Sequence, residues 1–135
     1  MKVVFDTNVL VAAFATEGLC SKLLKRANRG DFEIYISPFI FQEFQEKLKT
    51  KLFLSRTEIK EAIALLNEVV KIVNPEEEGI RVSGICRDRD DDSIIACGLA
   101  CKGDYIVTGD KDLLAIREYK GIKIKDPREF ELLFD

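Results

Sequence analysis

Lys2-Val-Val-Phe5 followed by Asp6-Thr7-Asn8 is the stretch that decides the fold. Lys2 to Phe5 is a short apolar run rich in β-branched side chains, which predicts a buried strand. An acid, a hydroxyl and an amide come directly after it, and all three are residue types that start helices. Val9 to Phe14 then predicts a helix. A carboxylate at the end of a buried strand is costly without a partner. Helix capping is the structural account of Asp6, and a functional role is the alternative.

Working outward, the same alternation repeats. Ser21–Arg29 predicts an amphipathic helix, with Leu23, Leu24 and Ala27 on its inner face. Phe32–Ile36 predicts a second strand. Ser37-Pro38 is a strong helix start, with Ser as cap and Pro in the first turn. That helix carries Ile40, Phe41, Phe44 and Leu48 on one stripe. A further helix is expected from Arg56 to Val70, capped by Ser55 or Thr57, and Pro75–Gly79 is a polar connector. After the charged run Arg87–Asp92, Ser93–Cys101 predicts an apolar helix ending at Gly103. Tyr105–Thr108 predicts a strand, Gly109-Asp110 a turn, Asp112–Ile116 a short helix, Ile122–Ile124 a strand and Pro127–Phe134 a last helix. Strands alternating with helices predict an α/β domain over residues 1–135, with a mainly parallel sheet between helical layers.

Composition narrows the chemistry. Among 135 residues, 47% are hydrophobic and 33% charged, and the net charge is −3. This balance excludes a strongly cationic nucleic-acid binder, though not binding through a local patch or a metal. With no His in the chain, His-based triads, His zinc sites and imidazole bases are excluded. Val9–Phe14 is far too short to span a bilayer. Cys20, Cys86, Cys97 and Cys101 form no CxxC pair, which fits a reduced, cytoplasmic protein. Cys97 and Cys101 read as small core residues.

In parallel α/β folds, ligands sit outside the carboxyl ends of the strands. Asp6 is expected there, and Asp110 lies just past the Tyr105–Thr108 strand. Asp92 opens the helix leading into that strand. Glu43 lies in the helix after the second strand, where periodicity does not separate it from Glu46. Asp88 and Asp91 read best as acids complementing a helix N-terminus. Asp90 and Asp112 read equally well as cap or site residues. Gathered carboxylates repel one another unless protons or a cation relieve them. A hard divalent ion does so with a few protein oxygens. It can also acidify water and hold a phosphodiester oxygen, a chemistry that needs no His.

At these residues the sequence resembles the PIN-domain family of metal-dependent nucleases, which includes toxins of toxin–antitoxin pairs. Val3-Val-Phe-Asp-Thr-Asn-Val9 resembles the family's opening strand and first motif, and Ser37-Pro38 with Glu43 its second. Asp92-Ser-Ile-Ile-Ala96 is similar to the third, and Thr108-Gly-Asp-Lys-Asp112 to the fourth. Asp126-Pro-Arg-Glu-Phe130 is similar to the closing segment of one toxin subgroup.

The resemblance implies a Rossmann-like three-layer sandwich and a Mg²⁺ or Mn²⁺ site. It implies Asp6, Glu43, Asp92 and Asp110 as catalytic metal ligands, with Asp112 also at the metal. Within Asp90-Asp91-Asp92, the offset to Ile95-Ala96 selects Asp92. Asn8 would orient Asp6 or the metal's waters, and Thr108 and Asp90 would support the rim. The implied activity is endonucleolytic cleavage of single-stranded or structured RNA, with an antitoxin protein as a candidate partner and a homodimeric state; the short apolar runs add the expectation of no membrane association. Lys22, Lys25, Arg26, Arg29, Lys47, Lys49, Lys51, Arg87 and Arg89 are candidate phosphate contacts. The rival reading is an inactive RNA- or protein-binding module on the same fold; a metal-dependent phosphatase or phosphoacceptor ranks below it.

Overall fold

A computed structural model of the chain describes residues 1–134. Strand β1 (Lys2–Phe5) runs into helix α1 (Thr7–Ala15), with Asp6 as the cap between them. Helix α2 (Leu19–Asn28) leads to β2 (Glu33–Ile36), then α3 (Pro38–Thr50) and α4 (Arg56–Val69). Ser37 caps α3 through its hydroxyl, with Pro38 in the first turn, as expected. Of the two caps expected for α4, it is Ser55, and it forms a capping box with Glu58.

Two strands lie outside the sequence expectation. Helix α4 passes without a break into β3 (Val70–Ile72). Val69-Val70 continues the apolar pattern of α4, and no Gly or Pro marks the change. The other is the two-residue strand β5 (Glu118–Tyr119), which pairs antiparallel with β6 (Ile122–Lys125). Between these lie α5 (Arg89–Ala100), β4 (Tyr105–Val107) and α6 (Lys111–Ile116), and α7 (Pro127–Glu131) follows β6 into a 3₁₀ turn. Helix α5 starts at Arg89 rather than Ser93, so the acidic run forms its first turn.

The strand order is β3-β2-β1-β4-β6-β5, and all pairs but the last are parallel. Side chains alternate across this sheet. Phe5 and Tyr105 fall on one face and meet Phe130 of α7, with ring centroids 6.4 and 5.6 Å away. Ile106 falls on the other face, under α5. There a Cβ on Gly98 would come within 3.1 Å of Ile122 and 3.2 Å of Ile106, so the glycine lets α5 lie close on the sheet. The result is the expected three-layer sandwich. Cys97 and Cys101 are buried, unbridged thiols, as core residues should be.

The chain continues from β1 to β2 on one side, and β4 later joins β1 on the other. This reversal opens a crevice at the carboxyl ends of β1 and β4, the usual ligand position in open parallel sheets.

Candidate active site

Asp6 sits in that crevice and is only 8% exposed. Its backbone N–H donates to the Val107 carbonyl at 2.9 Å, which ties the end of β1 to β4. The carboxylate is held at both oxygens. The Thr7 N–H donates to Oδ1 at 2.6 Å and the Thr108 hydroxyl to Oδ2 at 2.7 Å. Burial raises the Asp6 carboxyl above its ordinary range, against these two hydrogen bonds, and the charge of Glu43 adds to the rise. One oxygen of Asp6 therefore caps α1 while the other is tied to Thr108 beside β4.

The second motif meets the first through Thr7. The buried Thr7 hydroxyl donates to Glu43 Oε1 at 2.6 Å, bridging α1 and α3. Glu46 is exposed and accepts from the Gln42 amide at 3.4 Å, so the structure separates two acids that periodicity could not. Asn8 is not placed on Asp6. Its side-chain oxygen accepts from Lys47 Nζ at 2.8 Å, at the exposed edge of the crevice. Thr7, rather than Asn8, is the neighbour that contacts both Asp6 and Glu43.

Thr108 is fully buried and works in two directions. Besides donating to Asp6, its hydroxyl accepts the Asp110 N–H at 3.0 Å. Asp110 caps α6, accepting from the Leu113 N–H at 2.9 Å through Oδ2. The Thr-Gly-Asp turn therefore sets Asp110 and Asp6 in fixed relation.

The acid from α5 that joins this group is Asp91. Carboxylate oxygens of Asp91, Asp110 and Asp112 lie within 4.8 Å of one another. Opposite ligands of an octahedral Mg²⁺ are about 4 Å apart, so the three are near the spacing one ion needs. The Asp91 carboxyl is pushed up to about 7, first by burial, then by the charge of Asp110 and a hydrogen bond shared with it, with Asp88 and Asp6 adding. The environment favours a proton or a cation there.

Asp92, the residue selected on sequence, faces elsewhere. Its Oδ2 accepts from the Gly84 N–H at 3.0 Å and its Oδ1 from the Cys86 N–H at 2.8 Å. Adjacent residues on a helix are turned by about 100°, so α5 sends Asp91 to the crevice and Asp92 to the preceding loop. Asp90 is exposed and is not among the three convergent acids, and Asp88 is the cap of α5, as read. Asp112 lies at the outer rim, where Arg87 Nη2 approaches its Oδ1 at 3.2 Å.

A mainly parallel sheet brings carboxylates from four segments to one crevice, and comparison with known families shows which family shares this fold. The family model described as PIN domain matches residues 2–112. The chain belongs to the PIN-domain family. It is 32% identical over 143 aligned positions to the uncharacterized protein MJ1680 of Methanocaldococcus jannaschii, covering 96% of this chain and 89% of that protein. Among solved structures, it is similar to VapBC2 from Rickettsia felis bound to a promoter DNA fragment. The TM-score is 0.64 at 15% identity, covering 93% of this chain and 98% of that one. VapBC-1 from nontypeable Haemophilus influenzae gives 0.62 at 16% identity, over 95% and 99% of the two chains. FitAcB from Neisseria gonorrhoeae gives 0.54 at 12%, over 93% and 98%. At these identities the likeness establishes the fold. Among the described residues, no helix is long and apolar enough to cross a membrane.

Proposed function

We propose that this protein is a Mg²⁺- or Mn²⁺-dependent endoribonuclease and the toxin of a toxin–antitoxin pair. The observation that carries the reading is the convergence of Asp91, Asp110 and Asp112 within 4.8 Å, beside Asp6. Mutual repulsion makes such a group unfavourable unless a cation or protons neutralise it. Asp6, Asp91, Asp110 and Asp112 would hold the ion, with Glu43 at its edge. When bound, the ion supplies charge stabilisation to a phosphodiester oxygen and acidifies water for attack.

The chain's own residues do the positioning. Thr108 holds Asp6 and the Asp110 backbone together, and Thr7 holds Glu43 toward Asp6. Lys47 stands at the same edge and offers a cation to a phosphate. Setting the site acids aside leaves bases in slight excess over acids, which suits a polyanionic substrate. Family membership supports the nuclease class. The fold likeness to VapBC and FitAcB supports an antitoxin partner; the homodimer is proposed from the family resemblance alone.

The test is cleavage of end-labelled single-stranded RNA with Mn²⁺ or Mg²⁺, with EDTA, and with Asp6→Asn and Asp91→Asn. Cutting that requires metal and is lost in both variants is the expected result. Metal binding by titration with no cutting of any RNA would replace this reading with a binding module.

A further inference from the structure

The acidic crevice is bordered by a strap, residues 80–88, that leads from the connector after β3 to the cap of α5. Its own side chains anchor it at two points only, Val82 and Cys86. Between Arg81 and Arg87 most residues are exposed, and only Val82 and Cys86 are half-buried. Among the described residues, no main-chain to main-chain hydrogen bond outside regular elements involves residues 81–87. A cleft of about 1060 Å³, lined by Phe39, Ile80, Val82 and Ser93 among others, opens beside the strap. Packing against the core is confined to Val82 and Cys86, and leaves the rest of the strap without a hold of its own.

Asp92 supplies the further hold. Its carboxylate takes the Gly84 N–H with one oxygen and the Cys86 N–H with the other. Gly84 has φ of 73°, a left-handed backbone that favours glycine and turns the strap toward the carboxylate. Asp92 is itself 5% exposed, on a helix packed against the sheet, so the clasp is fixed to the rigid part of the molecule. Hydrogen bonds from backbone N–H groups to a carboxylate are charge-assisted and strong for their kind.

One residue beyond the clasp is Arg87. Its guanidinium lies 3.2 Å from Asp112 Oδ1, and its side chain is 88% exposed. An ion pair this exposed is weak, so Arg87 can leave Asp112 at little cost. Asp112 is one of the convergent acids, so Arg87 already stands where a phosphate bound at the crevice would lie. Guanidinium is the side-chain group best shaped to take two phosphate oxygens at once.

We propose that Arg87 is a substrate-phosphate contact of this site and that Asp92 is the positioning residue that delivers it, through its clasp on Gly84 and Cys86. The inference rests on the nuclease reading. It also explains why Asp92 is not among the convergent acids: its carboxylate serves the strap.

The experiment compares wild type, Arg87→Ala, Arg87→Lys, Asp92→Asn and the double variant, using a labelled RNA oligonucleotide with Mn²⁺. Arg87→Ala is expected to lower kcat/KM about 10- to 100-fold, mainly through KM, with Arg87→Lys in between. RNA affinity, measured in the non-cutting Asp6→Asn background, should lose about 0.7 from its log–log salt slope. Asp92→Asn should mimic Arg87→Ala, speed hydrogen exchange at the Gly84 and Cys86 amides, and bind Mn²⁺ as tightly as wild type. The double variant should be no worse than Arg87→Ala alone, as expected for residues acting as one unit. Wild-type KM and salt slope in Arg87→Ala would overturn the proposal, as would loss of Mn²⁺ binding in Asp92→Asn. Failure of the wild type itself to bind Mn²⁺ or cut RNA would instead strike the nuclease reading on which it stands.

Discussion

The Thr108 hydroxyl donates to Asp6 Oδ2 at 2.7 Å across the seam between β1 and β4, while accepting the Asp110 N–H at 3.0 Å. One oxygen atom thus serves two acidic motifs that lie far apart in sequence. Thr108→Val keeps the shape and removes the hydroxyl, leaving a buried carboxylate oxygen and an amide short of a partner. We expect a loss of about 1–3 kcal/mol. Thr108→Ser should recover most of it, and urea unfolding of the three proteins at neutral pH measures the difference.

The raised carboxyls tie stability to pH, and on the metal-site reading to metal as well. Asp91 is pushed up to about 7, and Asp6 is also raised. An acid raised in the folded state favours folding when protonated. Its contribution is complete below the ordinary carboxylate range near pH 4 and lost as pH rises through about 7. In EDTA, the thermal midpoint should therefore be pulled down across that window by these groups. Mn²⁺ should restore it above pH 7 and have little effect near pH 4, where protons compete for the same oxygens. A midpoint that ignores Mn²⁺ at pH 8 would contradict this.

Neutralising one acid should separate stability from activity. Asp110→Asn keeps an oxygen for the cap of α6, since Asn is as good a cap as Asp. It removes one charge from the crowded group. The metal-free variant is expected to melt higher than metal-free wild type, to lose its response to Mn²⁺, and to stop cutting RNA. Differential scanning calorimetry with and without metal reads the first two effects, and the RNA assay reads the third.

The Thr7–Glu43 contact gives a finer test. Thr7→Val frees Glu43 from its 2.6 Å hydrogen bond without disturbing the helix face that Thr7 occupies. Cutting should fall about tenfold, the worth of one such bond to a charged group. Thr7→Ser should cut like wild type. Equal activity of all three would place Glu43 outside the reaction.

The sequence made some of this legible because contrast was available. Lys2–Phe5 against Asp6, and Tyr105–Thr108 against Asp110, are apolar strands that end on an acid, so both the strand and the crevice position of the acid could be read from them. The β3 strand had no such edge, because Val69-Val70 joins it to α4 without interruption. The direction of the acids in α5 was hidden for a related reason. Arg87–Asp92 is charged throughout, so it carries no apolar stripe to set the helical phase. Starting α5 at Ser93 instead of Arg89 also hid that Asp91 and Asp92 point in different directions. The family offset chose Asp92, and only three-dimensional geometry showed its bonds to Gly84 and Cys86. Glu43 stood apart from Glu46 through its contact with Thr7, which no periodicity encodes.

Asp6 and its partner Thr108 are 102 residues apart in the chain. During translation, Asp6 is therefore among the first residues made, and the strand that completes its surroundings emerges late. A nascent chain that has not reached β4 has Asp6 and Glu43 but neither Thr108, Asp110 nor Asp112. It also lacks the second neighbour of β1 in the sheet. Pairings across such separations form slowly, after the closure of the long loop between them. The acidic crevice is thus complete only once β4 and the start of α6 have left the ribosome, and no shorter nascent chain can form it.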